Sequence, residues 1–290
     1  MLMFEQTDPI RLYLDLLKKC LTDSLHIEEN FDNKRRLYAQ KSLRPKQMLL
    51  NVMIRTLESR RMQLFFVRNE NISVESMKAK RAVGKDWPKR AETMIGLRRL
   101  ENIQFCIESV LRDGIPGDCV ETGVWRGGAT IFMRGILRAY GVTDRRVWVA
   151  DSFEGLPPPD SQKYSADAGD GHHQYEEMRI GIEQVKKNFE KYGLLDDQVQ
   201  FLKGWFEDTL PTAPIDRIAV LRLDGDMYGS TMVAFESLYR KLSPGGFLIV
   251  DDFGLPACRK AVEDYRNKHS ITEEIIPIDQ SGVYWRKNRH

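Results

Sequence analysis

The sequence has few cysteines, no long apolar run and almost no net charge. Its 290 residues include four cysteines and no C-x-x-C pair, so neither a disulfide framework nor a zinc site is indicated. No run approaches the roughly 18 apolar residues of a membrane span, and the start, MLMFEQTDPI, lacks the basic and apolar regions of a secretory signal. We therefore expect a cytoplasmic protein with reduced thiols and no membrane partner.

Charge is nearly balanced over the whole chain but not along it. Lys and Arg total 44 and Asp and Glu total 42, which argues against binding to nucleic acid through phosphate electrostatics. Residues 1–90 hold 19 basic and 11 acidic residues, whereas residues 91–290 hold 25 and 31. The basic region shows no interleaving of basic and aromatic residues, so no nucleic-acid partner is expected. Docking against the acidic remainder, within one subunit or across a dimer, would account for the asymmetry.

The basic region has the pattern of helices followed by a linker. Leucines along one stripe and a start at Asp8-Pro9 predict a helix over residues 8–30, and a second helix is predicted over residues 45–66. Residues 68–90 are polar and contain glycine and proline, which is typical of a linker. The composition, 42% hydrophobic and 10% aromatic, supports a core, and the length allows one to two domains.

The rest of the chain alternates short apolar runs with helical patterns, which indicates a parallel sheet covered on both faces. The last two runs are joined by a link too short for a crossover helix, so the final strand is expected to be antiparallel. We predict a Rossmann-like α/β domain of residues 91–290 with a seven-stranded sheet, preceded by a helical extension of residues 1–90. The predicted strands are residues 118–122, 147–151, 199–202, 218–224, 247–252, 272–276 and 282–286. The predicted helices are residues 92–111, 128–140, 176–192, 229–242 and 256–268.

One long loop interrupts this alternation. Residues 154–175 follow soon after a strand end; they contain three consecutive prolines near their start and continue with serine, aspartate and glycine. Long loops at such a place are often lids over a site, and a surface insertion without function is the alternative. His172 and His173 lie in this loop, where they would either contact a substrate or be solvated.

The first strand leads into a glycine-containing turn at residues 121–128. Ligands of parallel sheets bind beyond the carboxyl ends of the strands, where glycine allows close approach and a helix N-terminus offers free N–H groups. The spacing is not G-x-G-x-x-G, because Glu121 stands where a dinucleotide would require glycine. A carboxylate there suits an ammonium or sulfonium charge. A tight turn without a ligand is the alternative.

The next two strand ends fit an adenosine. Asp151 follows the second strand, 28 residues beyond Gly123, and can accept both hydroxyls of a ribose. Gly204 and Trp205 follow the third strand and could border an adenine ring. A helix-capping aspartate and an ordinary core tryptophan are the alternatives.

Four carboxylates follow the fourth and fifth strands, at Asp224, Asp226, Asp251 and Asp252. Clustered carboxylates repel each other unless a cation neutralises them, and oxygen ligands suit Mg²⁺ or Ca²⁺. A carboxylate that does not bind the cation could act as a general base. Helix capping and solvation of loops are the alternatives.

These segments resemble the macrocin O-methyltransferase family of S-adenosylmethionine-dependent enzymes that modify natural products. The resemblance covers about residues 90–290, and we expect residues 1–90 to lie largely outside it. The segments that carry it are MIGLRRL at 94–100, GDCVETGVWRGGAT at 117–130, ADSFEGLP at 150–157, KGWFEDTLP at 203–211, LRLDGDMYGST at 221–231 and LSPGGFLIVDDFG at 242–254.

The resemblance implies a class I methyltransferase fold with S-adenosylmethionine and Mg²⁺ as cofactors. It implies Asp226 as the catalytic base, since one branch of the family has a histidine where this chain has Met227. The metal ligands that it implies are Asp224, Asp251 and Asp252. The cofactor contacts that it implies are Met94, Glu121, Thr122, Gly123, Trp125, Arg126, Gly128, Asp151, Ser152, Gly204, Trp205 and Asp224.

The function implied is O-methylation of a small-molecule natural product, with the sugar of a glycoside preferred over a phenolic acceptor. A homodimer or higher homo-oligomer is expected, with the N-terminal extension either at that interface or over the acceptor pocket. Two other readings stay open from the residues. One is a non-catalytic cofactor-binding scaffold, and the other is a nicotinamide-dependent oxidoreductase, which Glu121 disfavours.

Overall fold

A computed structural model describes residues 8–27, 34–36, 51–54, 56–57, 65–67, 73–86 and 88–288. The helices are α1 (Pro9–Leu21), α2 (Val74–Ala82), α3 (Leu97–Arg112), α4 (Gly128–Ala139), α5 (Ile182–Lys191), α6 (Phe206–Thr209), α7 (Tyr228–Leu238) and α8 (Pro256–Lys268). The strands are β1 (Lys34–Arg36), β2 (Phe65–Val67), β3 (Asp118–Thr122), β4 (Val147–Asp151), β5 (Val199–Lys203), β6 (Ile218–Leu223), β7 (Leu242–Val250), β8 (Ile276–Pro277) and β9 (Val283–Arg286).

The predicted seven-stranded sheet is confirmed. Its strand order is β5-β4-β3-β6-β7-β9-β8, in which β3 to β7 run parallel and β9 is antiparallel to both of its neighbours. The chain moves outward from β3 in one direction to β5 and then returns to β6 on the other side of β3. Ligands of open sheets bind at such a switch point, beyond the carboxyl ends of the strands.

Apolar residues on both faces of the sheet explain why helices cover both. Successive side chains of a strand point to opposite faces, so Cys119 packs in one core cluster and Val120 in the other. The first cluster includes side chains of α1, α3, α4 and α5. The second includes side chains of α7 and α8. The central strand β6 is buried along its whole length.

Helix α1 is part of this main core. As predicted, Asp8 caps the helix, since its side chain accepts a hydrogen bond from the N–H of Ile10 at 3.0 Å. Leu14, Leu17 and Leu21 are buried and pack against α4. The helix ends at Leu21, earlier than predicted, because a tight turn with Asp23 at φ 52° follows it.

Chain packing defines two compact units, Met1–Ser24 with Lys80–His290, and Leu25–Ala79. In the second unit, β1 and β2 pair antiparallel, and residues 51–54 and 56–57 are helical. The region predicted as a helical extension therefore also contains strands. The helix predicted to reach residue 66 is wrong at its end, because Phe65–Val67, an aromatic and β-branched run, is a strand. The remainder of that predicted helix lies partly outside the described residues.

Other boundaries also differ from prediction. The linker predicted at residues 68–90 contains helix α2, whose lysines, alanines and methionine are good helix formers. Strand β7 begins at Leu242 rather than at residue 247, since Ser-Pro-Gly-Gly continues the strand instead of forming a turn. The strand predicted over residues 272–276 is reduced to Ile276–Pro277. Among the described residues, no helix is long and apolar enough to cross a membrane.

Leu17→Ala tests whether α1 belongs to the main core. The substitution removes a side chain that is 4% exposed, and we expect the free energy of unfolding to fall by about 2–5 kcal/mol. Leu16→Ala is the matched control, because the adjacent Leu16 is 54% exposed and its loss should cost under about 0.5 kcal/mol. Urea denaturation of both variants checks this, and equal effects would contradict the packing of α1.

Candidate active site

A cavity lies at the carboxyl ends of β3, β4 and β6, on the switch point of the sheet. Its walls combine aromatic and apolar side chains with several carboxylates. The loop predicted as a lid, residues 154–175, is called the lid segment; its Pro157 and Tyr164 line the cavity, as does Met178 just beyond it. The predicted residues that line the cavity are Met94, Gly123, Trp125, Asp151, Ser152, Trp205, Asp224 and Asp226.

The turn between β3 and α4 depends on glycine. Gly123 has φ 82°, and a Cβ atom there would lie 1.7 Å from the carbonyl oxygen of Asp224. Because any other residue type would place a Cβ atom there, only glycine allows β3 and β6 to approach so closely at their ends. Gly127 also has a positive φ, of 84°, and precedes the first turn of α4. The end of β3, on the predicted cofactor side, and the acidic end of β6 are thereby brought together.

Asp151 is fixed by backbone donors at the end of β4. One carboxylate oxygen accepts a hydrogen bond from the N–H of Val124 at 2.8 Å, and the other accepts one from the N–H of Phe153 at 2.7 Å. These bonds tie the end of β4 to the turn after β3. Burial raises the pKa of Asp151, and the backbone donors oppose that rise. The carboxylate lines the cavity and keeps lone pairs for a hydroxyl donor.

Three predicted metal ligands come together. One carboxylate oxygen each of Asp224, Asp251 and Asp252 lies within 4.8 Å of the other two. Asp226 stands next to them, and its backbone N–H donates to Asp252 Oδ2 at 2.9 Å. Asp226 has φ 57°, a left-handed conformation that is uncommon for a residue other than glycine.

Two arginines neutralise part of this acidic cluster. Arg222, 1% exposed, extends from β6 and forms ion pairs with Glu121, Asp224 and Asp251. Arg99, on α3, pairs with Asp251 as well. It also binds both carboxylate oxygens of Asp279, at 2.8 and 3.1 Å. A buried charge is tolerated only when it is paired, so these contacts make the cluster compatible with folding.

The carboxylates still outnumber the arginines, and burial and their mutual repulsion raise their pKa values. Burial, together with the charge of Asp224, raises the pKa of Asp226 to about 7. Burial and the charges of its acidic neighbours raise the pKa of Asp252 well above its usual range. Burial also raises the pKa of Glu121, and the Arg222 guanidinium opposes that rise. A cation would relieve the repulsion that all three experience.

Several predicted cofactor contacts do not line the cavity. Glu121 is 1% exposed and its carboxylate is paired with Arg222. The guanidinium of Arg126 donates to the carbonyl oxygens of Lys89 and Ala91, at 2.8 and 2.9 Å. Thr122, Gly128 and Gly204 are likewise absent from the described lining. Their roles as cofactor contacts stay predictions.

The two arginines and Asp279 were not anticipated from the sequence. Arg222 carried a signal, because a charged residue inside the apolar run Ile218–Leu223 is almost never buried without a partner. Arg99 and Asp279 carried none, since they lie 180 residues apart and meet only in the folded chain. Asp167, a buried residue of the lid segment, was also missed.

A family model described as Macrocin-O-methyltransferase (TylF) matches residues 10–287. The chain belongs to this family. The match begins within α1, so the expectation that the resemblance ends near residue 90 is wrong. The packing of α1 into the main core gives the physical reason, because the methyltransferase domain is not complete without that helix.

Individual relatives agree with the family. Mycinamicin III 3''-O-methyltransferase of Micromonospora griseorubida is 57% identical over 211 residues, 72% of this chain and 83% of that protein. The 8-demethyl-8-(2,3-dimethoxy-alpha-L-rhamnosyl)-tetracenomycin-C 4'-O-methyltransferase of Streptomyces olivaceus is 58% identical over 207 residues, 71% and 79% of the two chains. The solved structure of the O-methyltransferase NovP is 43% identical, covers 97% of this chain and all of its own, and gives a TM-score of 0.78. This member of the macrocin O-methyltransferase family is therefore an S-adenosylmethionine-dependent enzyme with the expected fold.

Proposed function

We propose that this enzyme is Mg²⁺-dependent and methylates a sugar hydroxyl of a natural-product glycoside. The observation that carries the proposal is one cavity that joins Gly123 and Asp151, on the predicted donor side, to Asp224 and Asp226 on the acidic side. An O-methyltransferase needs such a juxtaposition, because the methyl group and the acceptor oxygen must meet in line.

The acidic side fits a hard divalent cation. Asp224, Asp251 and Asp252 offer oxygen ligands close together, and Mg²⁺ is commonly held by a few carboxylates with water completing its shell. The arginines leave the cluster with excess negative charge, which a cation would neutralise. When bound there, Mg²⁺ would supply positive charge that lowers the pKa of a nearby acceptor hydroxyl.

The donor side fits S-adenosylmethionine. Gly123 has no side chain to cover the backbone where it lines the cavity, and the Asp151 carboxylate is placed to accept ribose hydroxyls. Met94, Trp125 and Trp205 add apolar surface to the wall. The cofactor supplies a methyl group on a positively charged sulfur, and transfer to oxygen leaves a neutral thioether.

Asp226 is the proposed base. It lines the cavity next to Asp224 and does not belong to the group of three carboxylates proposed to bind the metal, so it is left to take up a proton. It would accept the proton of the acceptor hydroxyl as the new carbon–oxygen bond forms. Pro157 and Tyr164 of the lid segment, with Met178 just beyond it, supply apolar wall, and their contact with the acceptor would exclude water.

The charge of the cavity disfavours an anionic acceptor. Among the described side chains that line it, six carry a carboxylate and Lys163 carries the positive charge. Lys163 already faces Glu207, with 3.5 Å between Nζ and Oε2. The two phosphates of a nucleotide sugar would be repelled here, whereas a neutral glycoside would not. The name of the Streptomyces olivaceus relative specifies a rhamnosyl group, which fits the same class of acceptor.

Asp226→Asn should abolish turnover without loss of cofactor binding. The amide cannot accept the proton, and loss of a general base typically costs about 10²- to 10⁴-fold in rate. Release of S-adenosylhomocysteine measures turnover, and calorimetry with S-adenosylhomocysteine measures binding. Asp197→Asn, an exposed position outside the cavity, is the control. Near-normal turnover of the Asp226 variant would remove Asp226 as the base.

Metal dependence is tested by chelation. EDTA should abolish activity, and added Mg²⁺ should restore it. Asp252→Asn should raise the Mg²⁺ concentration for half-maximal activity by at least roughly 10- to 100-fold. Loss of a residue that only supports a metal ligand already costs that much, and loss of a ligand should cost no less. Asp197→Asn should leave that concentration unchanged. A wild-type enzyme that keeps full activity in EDTA would exclude the metal.

The acceptor class is tested by a methyl-transfer screen. We expect deoxysugar glycosides of neutral natural products to be methylated, with kcat/KM at least about tenfold above that of nucleotide sugars and simple phenols. Mass spectrometry of the product locates the methyl group on the sugar or on the aglycone. Preference for a nucleotide sugar, or methylation of a phenol alone, would contradict the proposal.

A further inference from the structure

The lid segment is attached to the site through one buried carboxylate. Asp167 is 2% exposed and closes the short turn Ser165–Asp167. Its Oδ1 accepts a hydrogen bond from the N–H of Tyr228 at 2.6 Å, and its Oδ2 accepts one from the N–H of Gly229 at 2.9 Å. These donors are the first two residues of α7, about 60 positions further along the chain.

Helix α7 depends on this external cap. The first N–H groups of a helix have no partner within the helix, and a side-chain oxygen at the N-cap position normally satisfies one of them. Here the N-cap residue is Met227, whose thioether is at best a weak acceptor. Asp167 supplies two acceptor oxygens and a negative charge at the positive end of the helix dipole.

The capped end of α7 directly follows the connection that carries the proposed base, Asp226. Residues 224–227 connect β6 to α7, and Asp226 holds a left-handed backbone conformation there. The β6 end is anchored, since the N–H of Asp224 donates to the carbonyl oxygen of Thr122 at 2.9 Å. The position of Asp226 therefore also depends on the α7 end, which Asp167 holds.

We propose that Asp167 is a positioning residue for methyl transfer, which caps α7 from the lid segment and thereby fixes Asp226 where the acceptor hydroxyl must be. The proposal rests on the proposed role of Asp226 as base. It also couples the lid segment to the base, because the segment that lines the cavity is the one that completes the cap of α7.

The packing around the cap supports this role. The rings of Tyr164 and Tyr228 lie 5.7 Å apart, next to the hydrogen bonds of Asp167. A Cβ atom at Gly229 would come within 2.6 and 2.7 Å of the Tyr164 ring and within 3.2 Å of Asp167 Oδ2. Gly229 thus allows the lid segment to lie directly on the helix. Gly229→Ala would displace the lid while it favours the helix itself, since alanine is the better helix former.

The experiment compares Asp167→Ala, Asp167→Asn and Gly229→Ala with Asp8→Ala. Asp8→Ala is the matched control, because it removes the capping carboxylate of α1, a helix that supplies no described cavity residue. Three quantities are measured for each variant: kcat, the affinity for S-adenosylhomocysteine, and hydrogen exchange at the amides of Tyr228 and Gly229.

We expect Asp167→Ala to lower kcat by about 10- to 100-fold, since a misplacement near 1 Å can cost that much, and to leave cofactor affinity unchanged. Both amides should exchange faster. Asp167→Asn, which keeps one acceptor oxygen, should fall between, and Gly229→Ala should lower kcat as well. Asp8→Ala should change none of the three quantities.

Unchanged kcat or unchanged amide exchange in Asp167→Ala would overturn the proposal. A fall in cofactor affinity as large as the fall in kcat would overturn it too, because that is the mark of general structural damage. If Asp226→Asn is inactive and Asp167→Ala is fully active, the proposed function stands and only this inference fails. If Asp226→Asn is active, the assignment of the base fails and Asp167 loses its target.

Discussion

The ion pairs of Arg222 are the interaction on which the acidic side of the site depends. A single buried guanidinium contacts carboxylates that follow or end three adjacent strands, β3, β6 and β7. Without it, Glu121, Asp224 and Asp251 would be buried together as like charges, which proteins tolerate only by neutralising them. Because Arg222 lies inside the most buried strand of the sheet, its position is fixed by the core. The core therefore sets the orientation of the acidic groups before any ligand binds.

Arg99 extends this network of ion pairs to the edge of the sheet. It connects Asp251 to Asp279, in the turn between the two antiparallel strands. The Asp279 carboxylate in turn accepts hydrogen bonds from the backbone N–H groups of Ser281 and Gly282, at 2.9 and 2.8 Å. The antiparallel hairpin thus does more than cover the edge of β7. It holds the far end of the charge network that orients a proposed metal ligand.

Much of the fold follows from local pattern, and so does part of the site. Apolar runs of strand length mark β3 to β6, and the rule that parallel strands bring their carboxyl ends together placed Asp151 and Asp224 in one cavity. The pairing of Arg222 with Glu121 could not be predicted, because it depends on the register between β3 and β6, which local sequence does not specify. The pairing of β1 with β2 was missed for a similar reason, since strands of three residues carry little pattern.

The two sides of the cavity differ in how the chain holds them, and this difference explains what sequence reveals about each. On the donor side, Asp151 is fixed by backbone N–H groups of Val124 and Phe153, and Gly123 by the shape of one turn. Such short motifs can be recognised in the sequence. On the acidic side, the contacts of Arg99 with Asp251 and of Asp167 with Tyr228 join residues 152 and 61 positions apart. The family and its reaction are therefore evident from short motifs, whereas the arrangement of the acidic side depends on the folded chain.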